Sequence, residues 1–237
     1  MKYIALPETT GERRLSFFLA MEEYVARHLD EPDAFFLWQV RPSVIFGRNQ
    51  SLESEVNVGY CRAHGIEMYR RKSGGGCVYA DMGNLMLSYV TGEEHVNLAF
   101  NTFINMMLLV LRQLGLEAVS TVHNDVLIGG RKVSGTACYH LPGRSIVHGT
   151  LLYDTNMQHM TSAITPSVEK MQQKGIQSVR QRITVLRDFI TQDIETVKSL
   201  IRTTLCTGER CLTAGEVAQV ERIEESYLKN EFINLIQ

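Results

Sequence analysis

The sequence contains no apolar run long enough to cross a membrane, and its amino terminus has no signal-peptide core. A membrane-spanning helix needs about 20 consecutive apolar residues, and no stretch of the 237 residues comes near that length. The first eight residues, MKYIALPE, are interrupted by lysine, proline and glutamate. We therefore expect a cytoplasmic protein that has no membrane partner.

Net charge is also nearly absent from this chain. The 24 lysines and arginines and the 26 aspartates and glutamates give a formal charge of -2 at pH 7, and no basic stripe runs along the sequence. A nucleic-acid partner is therefore not expected, because proteins of that class carry an excess of cations on one face. Any anion site must come from a local cluster of cations.

Cysteine is scarce, and no Cys-x-x-Cys pair occurs. The five cysteines are Cys61, Cys77, Cys138, Cys206 and Cys211. Their odd number and scattered positions fit reduced thiols better than disulfides or structural zinc. Repeats, low-complexity tracts and an obvious linker are missing too. With 44% hydrophobic and 21% charged residues, the composition is that of a globular protein, and we predict a single domain over residues 1–237.

The spacing of apolar residues predicts helices and strands in mixed order, and hence an α+β fold. Apolar residues at helical spacing predict helices over 12–29, 101–114, 191–204 and 216–229. Short apolar segments predict strands over 34–40, 43–46, 85–90 and 146–153.

Residues 70–76 have the sequence RRKSGGG, which places three cations and a serine in front of three consecutive glycines. Glycine has no Cβ, so backbone amides can come close to a bound anion while the cations supply the countercharge. The spacing matches neither a P-loop nor a dinucleotide-binding loop. The stretch predicts a cradle for a phosphate or an acyl phosphate, and a flexible surface turn is the alternative.

A β-hairpin with a two-residue Gly-Gly turn is predicted around residues 126–133. With regular pleating, Asp125, Leu127, Lys132 and Ser134 share one face. A carboxylate, an ammonium and a hydroxyl would then converge, and Asp125 and Lys132 would form an ion pair or share a ligand. An exposed cross-strand ion pair at a sheet edge is the alternative.

Two further reactive residues lie on predicted strands. Cys138 is six residues beyond Lys132 on the same predicted face, about 20 Å away along a regular strand. That distance is too long for one reaction centre unless a bulge intervenes. His148 shares a face with Thr150, and the adjoining Gly149 suggests a close approach to the backbone. A structural and a functional role for His148 both stay open.

Several segments together resemble one family of enzymes. RRKSGGGCVYADMGN at residues 70–84 resembles the signature of lipoate-protein ligases, and NDVLIGGRKVSG at 124–135 resembles the lysine segment shared by lipoate and biotin ligases. PSVIFGRNQ at 42–50, HGTLL at 148–152 and KGIQSV at 174–179 are similar to the family in order and spacing. The lysine segment alone would fit a biotin ligase equally well, but the glycine loop favours lipoate. The resemblance covers roughly residues 12–232.

This resemblance implies an α+β fold like the catalytic domains of class II synthetases and biotin ligases, with a mixed, largely antiparallel sheet flanked by helices. It also implies a two-step reaction that uses ATP and Mg²⁺. The carboxylate of lipoate attacks the α-phosphate to give lipoyl-AMP and pyrophosphate, and a carrier lysine then takes the lipoyl group. The implied carriers are the lipoyl domains of 2-oxoacid dehydrogenase E2 subunits and the glycine cleavage H protein.

In that scheme Lys132 is catalytic, because its ammonium would stabilise negative charge on the acyl carbonyl and the α-phosphate. Asp125 would orient Lys132 or help to hold Mg²⁺ at the phosphates. The residues expected to bind substrate or adenylate are Arg70, Ser73, Gly74, Gly75, Gly76, Val78, Asn84, Asn124, Val133, Gly135, His148, Gly149 and Thr150. The residues expected in the nucleotide pocket are Val44, Ile45 and Gly47.

Departures from the family pattern leave other interpretations open. Ala80 stands where many relatives carry histidine, and the chain ends near residues 227–232, where an accessory domain commonly follows. A separate accessory protein would complete the ligase; otherwise the chain would be a lipoyl or octanoyl transferase, with Cys77 as the nearest thiol. Residues 165–167 (TPS) carry serine where octanoyltransferases of this fold have a cysteine. A non-catalytic sensor of lipoate or of carrier proteins is the third alternative.

Overall fold

A computed structural model of the chain describes residues 1–164 and 182–234. The predicted motifs at 165–167 and 174–179 lie outside these residues. In the described part, strands and helices follow one another in mixed order, so the predicted α+β class is confirmed. Of the helices described, none combines the length and apolar character that a bilayer crossing requires.

The strands of the described residues are β1 (Lys2–Ala5), β2 (Asp33–Trp38), β3 (Ser43–Phe46), β4 (Glu67–Arg70), β5 (Val78–Ala80), β6 (Asn84–Thr91), β7 (Ala118–Ser120), β8 (Asp125–Ile128), β9 (Arg131–Leu141), β10 (Arg144–Leu152) and β11 (Gly208–Cys211). The helices are α1 (Leu15–His28), α2 (Leu52–Glu55), α3 (Val58–Ala63), α4 (Val96–Gln113), α5 (Met157–Ala163), α6 (Ile194–Leu205), α7 (Ala214–Leu228) and α8 (Asn230–Ile233).

The strands form a large and a small sheet. The large sheet has the order β11-β1-β2-β6-β10-β9-β8-β7. Strand β1 runs parallel to β2 and β11, whereas the other neighbours are antiparallel. In the small sheet, β3 runs parallel to β4 and antiparallel to β5. The predicted mixed, largely antiparallel sheet flanked by helices is therefore present.

Helices cover both faces of the large sheet, because its central strands alternate apolar side chains between two cores. On one face α1 and α7 pack over Phe36 and Trp38. On the other face α4 and α6 pack over Phe35, Leu87 and Val147. Strand β6 is buried along its whole length, which agrees with its central position. The small sheet packs with α2, α3 and α5 in a third core.

Several elements were not predicted, and two segments show why. The helix predicted over 101–114 begins earlier, at Val96. Its start was missed because the side chain of His95, the residue before it, does not cap the helix and so gives no sequence signal. The segment between the last two predicted helices, 205–215, contains β11, which pairs with β1 near the amino terminus. Such pairing between distant parts of a chain has no local signal.

The predicted hairpin is formed by β8 and β9 around the Gly-Gly turn. Gly129 and Gly130 both have positive φ, 56° and 76°, which is the backbone that a primed turn requires. Beyond Lys132 the register shifts, so that Val133 is an extra residue opposite β8. A β-bulge of this kind reverses the side-chain alternation further along the strand.

The bulge changes which side chains share a face with Lys132. Asp125 lies opposite Gly135, and a Cβ on Gly135 would come within 2.7 Å of the lysine ammonium. Ser134 is fully buried on the other face, so the prediction that a hydroxyl joins Asp125 and Lys132 is wrong. Cys138 also lies on that other face, packed against the core beneath α4 rather than on the lysine side.

Candidate active site

A cavity of about 430 Å³ opens between the glycine loop and the β8–β9 hairpin. The predicted site residues that line it are Ile45, Gly75, Gly76, Val78, Asp125, Lys132, Gly135, His148, Gly149 and Thr150. The lining residues that were not predicted as site residues are Leu19, Trp38, Glu55, Arg71, Cys77, Met86, His123, Thr136, Ala137 and Ile164.

One row of the large sheet gives the cavity an apolar end and a charged end. Trp38 on β2 lies opposite Met86 on β6, which lies opposite Thr150 on β10. The row continues through Gly135 on β9 to Asp125 on β8. Neighbouring strands are about 4.8 Å apart, so the row spans about 19 Å. The cavity can therefore hold an elongated ligand whose tail is apolar and whose head is charged.

Lys132 and Asp125 form the charged end of the cavity. The lysine Nζ lies 2.8 Å from Oδ1 of Asp125, and the two side chains are 38% and 26% exposed. The carbonyl of Lys132 accepts a hydrogen bond from the amide of Thr184, which anchors the strand at this point. Gly135 leaves the space into which the lysine side chain extends. The ammonium is thus held at the cavity while staying accessible to a ligand.

Arg71 shapes the glycine loop from inside. Its guanidinium donates hydrogen bonds to the carbonyls of Gly74 at 2.7 Å, Gly76 at 2.8 Å and Ile45 at 3.1 Å. Burial lowers the pKa of Arg71 to about 10, so the group stays charged at neutral pH. The loop is therefore wrapped around a buried cation that also lines the cavity.

Close backbone packing explains two of the glycines. A Cβ on Gly47 would collide with the backbone of Gly75, and the amide of Arg48 donates to the carbonyl of Ser73 at 2.9 Å. Gly75 itself has a φ of 89°, in the region that favours glycine. Gly47 therefore supports the loop from behind and does not line the cavity that the described residues form.

Arg70 lies away from the cavity, contrary to its predicted position beside the adenylate. Its side chain is 1% exposed. The guanidinium donates to the carbonyls of Arg48 and Gln50, both at 2.7 Å, and of Ile233 at 3.1 Å. Arg70 thus ties the turn after β3 to α8, and Arg71 is the arginine that reaches the cavity. Two adjacent arginines give no sequence signal for which one points inward.

The third cation of the triplet contacts the helices. Lys72 Nζ lies 2.6 Å from a carboxylate oxygen of Glu23 on α1 and 4.5 Å from the ring centroid of Tyr227 on α7. Burial favours a higher pKa for Glu23, but hydrogen bonds and charge from Lys72 and Arg27 outweigh it, and the pKa of Glu23 is lowered. Lys72 therefore joins the start of the glycine loop to both helices.

Four other predicted residues occupy supporting positions. Val44 and Val133 are fully buried in the cores. The amide nitrogen of Asn84 donates to the carbonyl of Tyr79 at 2.9 Å. Asn124 adopts a left-handed turn with a φ of 59°, which asparagine tolerates well. Among the residues described, none of these four lines the cavity.

His148 lines the cavity and is held from both sides. Its Nε2 lies 2.7 Å from Oγ of Ser73, and its Nδ1 lies 2.9 Å from a carboxylate oxygen of Glu22. Thr150 lines the same cavity, as the predicted shared face requires. Glu22 was not predicted as a site residue, although an acidic residue within the apolar spacing of α1 is a signal that would have found it.

The two thiols considered for catalysis are both poor nucleophiles. Burial raises the pKa of Cys77, which lines the cavity, to about 12. Burial also raises the pKa of Cys138, on the opposite face of the sheet, to about 11. Because the thiolate is the reactive form, neither residue is activated at neutral pH.

Within residues 1–164 and 182–234, no group of three or more histidine, cysteine, aspartate or glutamate side chains is placed to hold a metal ion. Asp125 is the carboxylate at the charged end, and it is already paired with Lys132. The described donors therefore fit a Mg²⁺ that arrives with a phosphate ligand better than one held by the protein alone.

The fold and the site agree with comparisons to known proteins. Residues 15–206 match the family described as the lipoyl protein ligase A/B catalytic domain. The chain therefore belongs to this family.

Particular relatives carry ligase names. The chain is 40% identical over 182 residues to lipoate-protein ligase LplJ of Bacillus subtilis, a match that covers 75% of this chain and 54% of the relative. It is 38% identical over 191 residues to lipoate-protein ligase 1 of Staphylococcus aureus, covering 79% and 58%. The chain thus spans little more than half the length of these curated relatives.

A solved structure shares the fold over nearly its whole length. It is part of an archaeal lipoylation system of Thermoplasma acidophilum, described as a bi-partite lipoate protein ligase and its E2 lipoyl domain. The TM-score is 0.84 at 26% identity, and the match covers 100% of this chain and 97% of that chain.

Proposed function

We propose that this chain is the catalytic part of a lipoate-protein ligase, which activates lipoate with ATP and transfers the lipoyl group to a carrier lysine. The observation that carries the proposal is the accessible ammonium of Lys132, paired with Asp125 at the charged end of a cavity whose other end is apolar. The names of the curated relatives support the same activity.

The cavity suits the shape of lipoate. Its dithiolane and five-carbon chain would lie over the apolar end of the sheet row, against Trp38 and Met86. The carboxylate would then lie near Lys132, beside the backbone of Gly75 and Gly76. This orientation places the apolar tail among aliphatic and aromatic side chains, which is typical of small-molecule pockets.

The chemistry follows from charge that develops at the head of the ligand. In the first step a carboxylate oxygen of lipoate bonds to the α-phosphorus of ATP, and pyrophosphate leaves. In the second step the amine of the carrier lysine bonds to the acyl carbon, loses a proton, and AMP leaves. The ammonium of Lys132 would stabilise negative charge on the α-phosphate and the acyl oxygen in both steps, with Arg71 as a second cation at the glycine loop.

Asp125 would hold Lys132 in position and would face any Mg²⁺ that accompanies the phosphates. Mg²⁺ is commonly bound through one or two carboxylates together with the substrate phosphates, and Asp125 is a carboxylate of the cavity lining beside Lys132. The ion would supply charge neutralisation at the phosphates when ATP binds.

The partners in this proposal are carrier domains and an accessory protein. The carriers would be lipoyl domains of 2-oxoacid dehydrogenase E2 subunits and the glycine cleavage H protein, and the reaction would take place in the cytoplasm. The archaeal structural relative, which this chain covers to 97%, is described as a bi-partite ligase. This description supports a separately encoded accessory protein for the ATP-dependent step.

Thiol-dependent transfer of lipoyl or octanoyl groups is the weaker alternative. It needs a nucleophilic cysteine beside the lysine, and burial raises the pKa of Cys77 to about 12. The Lys132 mechanism needs no thiol.

The decisive experiment is the exchange of labelled pyrophosphate into ATP, dependent on lipoate, with the chain alone and with an accessory protein. Lys132→Met should lower the exchange at least about 100-fold while the unfolding transition is kept. Lys198→Met is a matched control, because Lys198 pairs with Glu195 at 2.9 Å on α6, away from the cavity lining. Absence of exchange under both conditions, together with efficient transfer from supplied lipoyl-AMP, would refute the ligase and leave a transferase.

A further inference from the structure

A chain of hydrogen-bonded side chains, which we call the Glu22 relay, runs along the cavity wall. It consists of Trp38, Ser88, Glu22, His148 and Ser73. The indole nitrogen donates to the Ser88 hydroxyl at 2.8 Å, and that hydroxyl donates to the carboxylate of Glu22 at 2.5 Å. The carboxylate contacts His148 Nδ1 at 2.9 Å, and Nε2 contacts the Ser73 hydroxyl at 2.7 Å. All five side chains are buried or nearly so.

Trp38 sets the direction of the two Ser88 bonds, and the two His148 bonds follow when Glu22 is a carboxylate and His148 is a neutral imidazole. The indole N–H of Trp38 only donates, so the Ser88 oxygen accepts and its proton goes to Glu22. An ionised carboxylate only accepts, so His148 must carry its proton on Nδ1. In neutral imidazole the other nitrogen is then an acceptor, and the hydroxyl of Ser73 donates to Nε2.

The relay connects the cavity to the glycine loop. Ser73 is the residue directly before the three glycines, and its carbonyl accepts from the amide of Arg48. Trp38 and His148 both line the cavity. The charge of Glu22 also acts on Arg71, whose guanidinium holds the loop carbonyls. A carboxylate on α1 thus reaches both groups that shape the loop.

We propose that Glu22 is a positioning residue for the ligase reaction. It selects the Nδ1–H tautomer of His148, which in turn accepts the Ser73 hydroxyl and holds the start of the glycine loop against the cavity. This assignment rests on the proposed ligase function for its kinetic consequence. The tautomer and the loop position can be measured without turnover.

Three variants test the relay. Glu22→Gln keeps the size of the side chain but can donate as well as accept, so the tautomer of His148 is no longer selected. Ser73→Ala removes the last bond of the relay. The matched control is Glu224→Gln, because Glu224 is a buried carboxylate on α7 that accepts from the Ser16 hydroxyl at 2.5 Å and lies outside the cavity lining.

Glu22 and Ser73 should affect the reaction rate through the same chain of hydrogen bonds, so their effects should not add. Glu22→Gln and Ser73→Ala should each lower kcat/KM for lipoate-dependent pyrophosphate exchange at least tenfold, and the double variant should be no worse than the more impaired single variant. Glu224→Gln should keep the wild-type rate even where its unfolding midpoint falls. Multiplied effects in the double variant, or full activity in Glu22→Gln, would overturn the assignment.

Two measurements decide the relay independently of activity. In protein labelled with ¹⁵N-histidine, the His148 resonances should show the Nδ1–H tautomer in the wild type and its loss in Glu22→Gln. Limited proteolysis within residues 70–80 should be faster in Glu22→Gln than in the wild type or in Glu224→Gln. An Nε2–H tautomer in the wild type, or equal proteolysis, would overturn the relay. Absence of exchange in the wild type, both alone and with an accessory protein, would refute the ligase function while these two results still judge the relay.

Discussion

Replacing Gly135 by alanine should displace the Lys132 ammonium without unfolding the chain. A Cβ at this position would lie 2.7 Å from Nζ and 2.8 Å from Cε of Lys132, and 3.6 Å from Oδ1 of Asp125. Non-bonded carbon atoms prefer about 3.5–4.0 Å, so the end of the lysine must move by about 1 Å. The backbone can stay, because Gly135 is not among the glycines with positive φ.

The expected effects on stability and activity differ greatly in size. Gly→Ala at a compatible position adds about 0.4–1 kcal/mol of stability. Weakening the ion pair, whose side chains are 38% and 26% exposed, lowers the unfolding free energy by about 0–1 kcal/mol. The net change in unfolding free energy should therefore stay within about 1 kcal/mol. A 1 Å misplacement of a catalytic group costs about 100-fold in rate.

The assay combines pyrophosphate exchange with urea unfolding. Gly59→Ala in α3 is the control, because a Cβ there would meet only Oδ1 of Asn57 at 3.8 Å. The control should keep the wild-type rate, whereas Gly135→Ala should lose about 100-fold with a similar unfolding midpoint. Full activity in Gly135→Ala would refute the view that the exact position of Lys132 governs the reaction.

Three further predictions concern the glycine loop. Gly47→Ala should lower the unfolding free energy by about 1–3 kcal/mol, measured by urea unfolding, because its Cβ would overlap the backbone of Gly75. Cys77→Ser should leave the lipoylation rate unchanged, since the thiol has a pKa of about 12, and a Cys77 thioester seen by mass spectrometry would contradict this. The lowered pKa of Glu23 gives stability that is present above its ordinary pKa of 4.5 and is lost as the pH falls through the folded pKa. In urea unfolding, Lys72→Met should therefore lose less stability than the wild type between about pH 6 and about pH 3. An equal loss in both proteins would show that the contact with Lys72 is not the source of the lowered Glu23 pKa.

Local patterns in the sequence predicted the central part of the fold. The Gly-Gly turn fixed the hairpin because both residues adopt positive φ, and the apolar spacing of α1 and α7 marked both helices. Strands β1 and β11 were missed because each has four residues and forms only by parallel pairing of distant segments. Tertiary contacts, rather than local propensity, decide such edge strands.

The sequence predicted which residue types form the site more reliably than which side chains point into the cavity. Lys132, Asp125 and the glycines were found because their chemistry is visible in the sequence. Which of Arg70 and Arg71 points into the cavity was not predicted, because it depends on the direction in which each side chain leaves the end of β4. Glu22 was overlooked because it lies within the apolar spacing of α1, where it counted only as part of the packing face of the helix. Its partner His148 is 126 positions away in the sequence, so their contact has no local signal.

The extra residue Val133 in β9 determines which side chains of the strand face the cavity, and so which functional groups reach it. Before Val133 the strand presents Lys132 to the cavity, and after it Gly135 takes that side. Without the insertion, Ser134 and Cys138 would take the lysine's side by simple alternation. One inserted residue thus keeps hydroxyl and thiol groups in the core and leaves the ammonium to act beside a glycine.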